Sequence, residues 1–418
     1  MNKTSTHLLQ SEPIIHVGII LPEDRRKSIT LSFTDPSLYE IDSDPLIKRS
    51  GDIPEILNIS MDDGDILIRN TKQDFSPTGI IIHNVPAGRG FHWEKSINVI
   101  VPGNIKIKHY DKYLLVINEL PLEQYLACVA VSEMSGQCPP ALLEAQTITA
   151  RSWIMAAAEK KHVTLGLDAC NDDCCQRYQG LTQMTDSSMK AANDSRGIFL
   201  IHDDQICDAR YSKSCGGITE SAHQVWDMKP TPYLSSVYDG PENDPDIHWD
   251  NWFVDYPKTF CSPSFVNEND LQKYLGIVDK KGSYFRWNTF FTQEKFCAFF
   301  SKTINETVVH IDKIDSLKRG KSGRINHLYL DYQTSKGNSK TIQIKSEYEI
   351  RKMLHPSFLY SSCFIVKMDE NSIEFFGAGW GHGVGLCQIG ALGMALNYFS
   401  TEDILTHYFR NSTLRKLY

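Results

Sequence analysis

The chain lacks any apolar run near the roughly 18 residues that a membrane-spanning helix needs. It also lacks a basic stripe. Its 43 Lys and Arg are scattered among 51 Asp and Glu, for a net charge of −8. Binding to nucleic acid wants clustered cations against the phosphates, so that partner is discounted. Internal repeats and low-complexity tracts are absent, which sets repeat architectures aside. No signal-peptide core is readable either. The short apolar run Ile14–Leu21 contains His16 and runs into Pro22 and charges, so it reads as a β-strand.

What is present is an ordinary globular composition, 41% apolar and 22% charged over 418 residues. At roughly 100–200 residues per domain, that length predicts two or three domains with enough surface to bury a large core. Residues 13–118 read as mostly β: short apolar runs such as IIHVGII, SITLSF, GIIIHN and YLLVIN are separated by turn signals such as Asp63-Gly64 and Pro102-Gly103. The character then changes. Apolar residues at helical spacing predict helices over Leu122–Val131 and Pro139–Lys161. Further helices are expected around Gln293–Ser301, Ser346–Met353, Gln388–Phe399 and Glu402–Phe409, with strands between 311 and 378. The class is α+β, with two packed mixed lobes and a central cleft behind a β-rich N-terminal region. Shifts in composition divide the chain into 1–113, 114–240 and 241–418.

Four motifs carry candidate chemistry. In the first, Asn118–Trp153, Glu133 stands between Ser132 and Met134, where an apolar helix meets a turn. A carboxyl group at such an edge is partly desolvated, which favours a neutral acid able to donate a proton. Arg151 lies on the next helix among small and apolar residues, placed to hold a polar substrate group or Glu133 itself. In the second motif, His162 precedes Cys170, Cys174 and Cys175, the ligand set of a tetrahedral Cys3His zinc site. The intervening Asn171-Asp172-Asp173 supplies the tight turn. A Cys170–Cys175 disulfide and plain free thiols are the alternatives. The remaining cysteines, among them Cys128, Cys207, Cys297 and Cys363, stand alone and read as buried small hydrophobes.

The third motif, ARYSKSCGGITESAHQVW, places Ser214-Cys215-Gly216-Gly217 where backbone N–H groups can approach a ligand closely; a tight turn is the plainer reading. The fourth, Gly377–Gly393, holds seven Gly in seventeen residues, with Trp380, His382 and Gln388 among them. It has no Gly-Lys-Ser/Thr of a P-loop and no βαβ frame of a dinucleotide fingerprint. A Trp on such a loop suits a sugar face, and His and Gln suit its hydroxyls.

In this order the motifs resemble the stage II sporulation protein D/amidase-enhancer family, from about Leu114 to Tyr408. The SEM segment with its downstream Ala-Arg, the SKSCGGITE segment with its following VW, RGKSGRI and GWGHGVGLCQIGALGMA carry the likeness. The resemblance implies a peptidoglycan lytic transglycosylase that cleaves between N-acetylmuramic acid and N-acetylglucosamine and leaves a 1,6-anhydro product. The alternative it implies is a non-catalytic wall-binding protein that activates an N-acetylmuramoyl-L-alanine amidase. It makes Glu133 the catalytic acid and gives Arg151 a part in substrate handling. Tyr211, Ser214, Gly216, Gly217, Trp380, His382 and Gln388 become substrate-binding candidates. It also implies a structural Zn2+ on His162, Cys170, Cys174 and Cys175, with Cys174 standing where the family often has His. Cys215 and Cys387 stand where the family commonly has Ser, which argues against either as a nucleophile. The substrate implies the cell envelope.

Overall fold

The structure, a computed structural model, describes residues 9–43, 53–72, 78–90, 94–241, 247, 249–275 and 283–418. It forms two compact units. One comprises Met1–Asp208, Tyr274–Val278 and Leu414–Tyr418, the other Ala209–Lys273 and Asp279–Thr413. The boundaries differ from those drawn by composition because strand Tyr113–Pro121 pairs with both Ile14–Ile20 and Asn104–Tyr110. Residues on both sides of 113 therefore share one sheet.

Two large sheets dominate the first unit, beside a small one that includes Ile198–His202 and Gln205–Ile206. A six-stranded one runs Ala169–Cys170, Ile14–Ile20, Tyr113–Pro121, Asn104–Tyr110, Ile66–Asn70, Tyr39–Ser43, and a four-stranded one runs Ile56–Ser60, Ser28–Phe33, Ile80–Ala87, Lys95–Val101. Ser28–Phe33 alternates outward and buried residues along its length, the period-two pattern of a half-buried strand. Ile29, Leu31 and Phe33 thus reach the core with Val17, Ile82, Val99 and Ile107. Three helices belong to this unit: α1 (Leu122–Glu133), α2 (Pro140–Ala156) and α3 (Asp186–Asp194), each packed on the other two. From Leu122 to Ser132 every residue of α1 is buried. A helix buried on every side belongs inside a core, and its polar residues Glu123, Gln124 and Ser132 are enclosed with the apolar ones.

Two local outcomes differ from the sequence expectation. α2 stops at Ala156 instead of running on through Ala158 toward Lys160. Ala157 adopts φ −50°, ψ 124°, and the Ala158 N–H turns to the Asp208 carboxylate at 3.2 Å instead of a helical carbonyl. α3 was not expected. Its buried face is only Ser188, Ala191 and Ala192, too small a stripe to register, but Thr185 and Ser188 cap its start reciprocally.

The second unit holds a three-stranded sheet of Arg286–Thr292, Ser372–Ala378 and Phe364–Met368, and another of Val308–Arg319, Ile325–Thr334 and Ser339–Lys345. Trp287, Phe296, Phe300, Leu328, Leu330, Phe364 and Phe375 fill the core around them. The helices expected here form as Gln293–Ile304, Glu347–Met353 with Ser346 as its cap, Gln388–Leu396 and Thr401–Tyr408. Among the described residues no helix is long and apolar enough to cross a membrane.

Trp287 sits opposite Gly377 in the sheet register, and a Cβ on Gly377 would stand 2.1 Å from its indole. Gly377→Ala should therefore cost about 1–3 kcal/mol through overpacking. A lower denaturant midpoint would register it, and an unchanged midpoint would show that the indole has room to move.

Candidate functional site

Glu133 is the last residue of α1, and it is part-exposed where the rest of the helix is not. Its neighbour Met134 leaves the helix in extended conformation, φ −135°, ψ 154°, and bridges Leu275, while Ser135 N–H donates to Tyr274 O at 2.9 Å. The helix end is thus fixed by backbone pairing. One Glu133 oxygen accepts the Arg177 N–H at 3.2 Å. The carboxyl stands at the C-terminal end of α1.

Arg177 belongs to the turn that carries the cysteines. Cys170 pairs with Gly18 at the sheet edge, and Asn171 N–H donates to Gly18 O at 3.0 Å. The chain then reverses, with Cys175 N–H on Asp172 O at 3.0 Å. Asp172 accepts the N–H groups of Gly88 and Arg89 at 2.9 and 2.7 Å. The Arg89 guanidinium bonds Asp24, Asn171 and the Ile19 carbonyl. Beyond the cysteines, Gln176 accepts the Tyr125 hydroxyl at 3.0 Å and Tyr178 donates to Asn118 at 2.6 Å. The turn that places the Arg177 amide is therefore held at both ends.

The ligand atoms of His162, Cys170, Cys174 and Cys175 all lie within 4.8 Å of one another. Cys174 Sγ is 3.2 Å from Cys170 Sγ and 3.7 Å from His162 Nε2. Zn–S bonds of roughly 2.3 Å at tetrahedral angles put ligand sulfurs about 3.8 Å apart, so three soft sulfurs and an imidazole at this spacing fit a metal ion. All eleven cysteines are free thiols. Hydrogen bonds with Cys170 and Cys175 draw the Cys174 thiol far below its usual range. Hydrogen bonds with Cys174 and Cys175 push Cys170 up and raise His162 to about 10.

Arg151 pairs with Glu123 and not with Glu133. Its side chain is wholly buried, and its Nε and Nη2 donate to the Glu123 carboxylate at 3.1 and 2.5 Å. Its remaining donors take Ile198 O and Ser195 Oγ. Glu123 in turn accepts the Gly197 N–H and the Tyr418 hydroxyl. With no surface to offer a ligand, Arg151 is a structural cross-link.

In the second unit the third and fourth motifs meet. Tyr211–Ser212 pairs in parallel with Leu386–Cys387, and Ser214 exchanges backbone hydrogen bonds with Trp380 at 3.2 and 2.8 Å. Arg324, almost wholly buried, lies against both: its guanidinium donates to the carbonyls of Ser214, Cys215 and Gly381. This explains the alternating glycines. Gly379, Gly381, Gly383 and Gly385 all have φ between +73° and +88°. A Cβ on Gly383 would stand 2.3 Å from the Arg324 guanidinium carbon, and one on Gly385 would stand 2.0 Å from Arg210 O. The loop is glycine-rich so that it can fold onto an arginine.

Ser214, Gly216, Gly217 and Gln388 are accordingly buried, and their expected contact with substrate gives way to packing. Tyr211, Trp380 and His382 are half-buried. Trp380 lies between Tyr284 and Tyr360, with ring centroids at 4.8 and 4.6 Å. His382 meets Trp226 edge-on at 4.9 Å, and Arg210 lies over the other ring at 3.9 Å. Burial, then the charges of Arg210, Arg324 and Arg351, push His382 down to about 3, so its imidazole is neutral. Its Nδ1 accepts the Val384 N–H. Trp226 and Arg324 were quoted within motifs but given no role; both belong to motifs that turn out to interlock. A groove of about 650 Å3 in this unit, lined by Trp249, Asp315, Arg319 and Lys367, includes none of the candidate site residues, though Arg319 and Ile325 on its wall are the ends of the RGKSGRI stretch.

Residues 110–202, which contain Glu133 and the cysteine turn, match the family model described as Stage II sporulation protein. Residues 220–385 match a family described only as a domain of unknown function. The chain is similar to an uncharacterised protein of Brachyspira hyodysenteriae, 28% identical over 73% of this chain and 70% of that one. It is 27% identical to the amidase enhancer of Bacillus subtilis, over 68% of this chain but only 39% of that one. It is 25% identical to the stage II sporulation protein D of the same organism, over 81% and 91%. These matches define a mixed α+β protein built around the sporulation-protein domain. Over most of its length the chain is thus similar to members of the stage II sporulation protein D/amidase-enhancer family, and residues 110–202 carry the domain match.

Arg151→Met would leave the Glu123 carboxylate buried without its countercharge. The expected loss of stability is about 3–5 kcal/mol by denaturant unfolding, with much of it recovered in Glu123→Leu/Arg151→Met. A single variant as stable as the parent would contradict the structural role.

Proposed function

We propose that the protein is a peptidoglycan lytic transglycosylase in which Glu133 is the single catalytic acid and base. The observation that carries this reading is the part-exposed Glu133 carboxyl at the end of an otherwise buried helix, with the Arg177 amide directed at it. The relatives named amidase enhancer and stage II sporulation protein D support a role at the cell wall. In the proposed reaction Glu133 gives its proton to the glycosidic oxygen between N-acetylmuramic acid and N-acetylglucosamine. The resulting carboxylate takes the proton of the muramoyl C6 hydroxyl as that oxygen bonds to C1. The anhydro ring closes, the carboxyl is regenerated, and no water is consumed. A hydrolase would instead need a second carboxylate to activate water or to form a glycosyl ester. In the other unit, Trp226, Trp380, His382 and Tyr211 offer part-exposed rings suited to sugar faces.

His162, Cys170, Cys174 and Cys175 would hold a Zn2+. Four protein ligands fill a tetrahedron, so the ion would act as a cross-link in the turn that ends at Arg177. The purified chain should carry zinc that Cys170→Ser/Cys174→Ser reduces by one equivalent. Chelation should lower the melting temperature, with activity falling only as the fold is lost. Loss of activity at unchanged melting temperature would make the ion catalytic and this assignment wrong.

Purified sacculi incubated with the protein should release 1,6-anhydro-muropeptides, detectable by mass spectrometry. Glu133→Gln keeps the side-chain shape but cannot cycle a proton, so the rate should fall by about 10²–10⁴-fold. The competing reading is an activator of a wall amidase, favoured by the name of one relative. It predicts no anhydro product from the protein alone, and stimulation of an added amidase that Glu133→Gln leaves intact.

A further inference from the structure

We propose that Cys215, Asp239, Cys261 and Cys387 form a second metal site, for a thiolate-preferring divalent ion of the zinc class. Their ligand atoms all lie within 4.8 Å of one another, and all four residues are buried. Cys215 Sγ is 3.6 Å from Cys261 Sγ and 3.3 Å from Asp239 Oδ2. The sulfur spacing matches the roughly 3.8 Å separation that tetrahedral zinc imposes on two thiolates. Three thiolates and one carboxylate complete a closed four-ligand shell. Soft sulfur donors select zinc over magnesium or calcium.

The surroundings are those of anionic sulfur. Cys387 Sγ accepts the N–H groups of Cys215 at 3.1 Å and of Gly390 at 3.3 Å, and Cys215 Sγ accepts the Gly217 N–H at 3.4 Å. Cys387 also caps the N-terminus of helix Gln388–Leu396, where a thiolate is favoured. Asp239 is oriented by other groups: the Tyr408 hydroxyl donates to Oδ1 at 2.6 Å and the Cys261 N–H to Oδ2 at 3.2 Å. Such outer contacts hold a carboxylate ligand in place.

Arg286 supplies an independent observation. It is a buried cation whose hydrogen bonds all go to backbone carbonyls, those of Asp255, Phe285 and Gly216, the last adjacent to Cys215. Its Nη2 is buried without a partner, and among the described residues it makes no ion pair with a carboxylate. A buried guanidinium needs a nearby anion. A divalent ion with three thiolates and a carboxylate carries a net charge of about −2 and supplies it. On binding, the thiols release their protons to solvent and no redox change occurs. The ion would tie together four segments that are far apart in sequence, including both ends of the pairing that holds the glycine-rich loop.

The test uses the full chain, purified under reducing conditions, exposed to zinc alone and desalted, with metal counted by elemental analysis. Cys170→Ser/Cys174→Ser removes the first cluster, and the expected result is one zinc equivalent retained. Cys387→Ser should lose one equivalent relative to the parent. If Cys387→Ser does not fold, the first variant decides by itself. Its retained ion, exchanged for cobalt, should give thiolate-to-cobalt charge-transfer absorption. The proposal is overturned if Cys170→Ser/Cys174→Ser, folded by circular dichroism, retains no zinc, or if folded Cys387→Ser keeps the parent's full complement. A Cys215–Cys261 disulfide in the reduced-purified chain, found by peptide mapping, would overturn it too.

Discussion

A guanidinium removed from water must be given hydrogen bonds for its five donors and a charge to face, and that demand organises each unit of this protein. In the first unit Arg151 meets it through Glu123, Ile198 and Ser195, while Glu123 collects Gly197 and Tyr418. One ion pair thus joins α1, α2, the end of α3 and the last residue of the chain. In the second unit Arg324 meets the demand through the carbonyls of two motifs, and Ser322 links it to the buried Glu220. Buried pairs of this kind add little net stability over apolar packing, but only one arrangement satisfies them. Their contribution here is position.

Position is what the proposed chemistry requires of Glu133. The helix is placed by Glu123 at its first turn, and its last residue inherits that placement. The other constraint arrives through the cysteine turn. Arg89 locks Asp172 and Asn171, the sheet edge locks Cys170, and the Arg177 amide follows two residues after Cys175. A cross-link among His162, Cys170, Cys174 and Cys175 would stiffen the segment most exposed to solvent in this chain of contacts, since Cys174 is itself exposed.

How legible this was in the sequence depended on the kind of signal. Periodicity placed α1 and most of α2, because their apolar spacing is a local property. The end of α2 was not local: it is set by Asp208, fifty residues on. The spacing of His162 and the cysteines showed a cluster that the structure brings together. The partner of Arg151 was not legible, because one chain read in order does not show which distant carboxylate an arginine will meet. A clue existed, since Glu123 and Arg151 are opposite charges set among mostly apolar or small residues of two neighbouring helices. The glycines were read as an approach to ligand, and their real neighbour is Arg324. Close backbone approach was correctly inferred, but what approaches is the protein's own side chain. The cluster at Cys215 was invisible because its members lie in four separate segments, each with a single cysteine or aspartate.

A mechanism with one carboxylate places unusual weight on such devices. With two carboxylates, a misplaced acid still leaves a base or nucleophile to work with. In the proposed mechanism the group that donates the proton must be in reach of a second oxygen moments later, and an error of about 1 Å would compromise both transfers. Apolar packing alone tolerates shifts of that size, because hydrophobic contacts are not directional. Hydrogen-bonded charges and metal–thiolate bonds are directional. The first unit combines them accordingly: a largely apolar, buried α1 supplies burial, and polar pins at its two ends, Glu123 and the Arg177 amide, position the carboxyl.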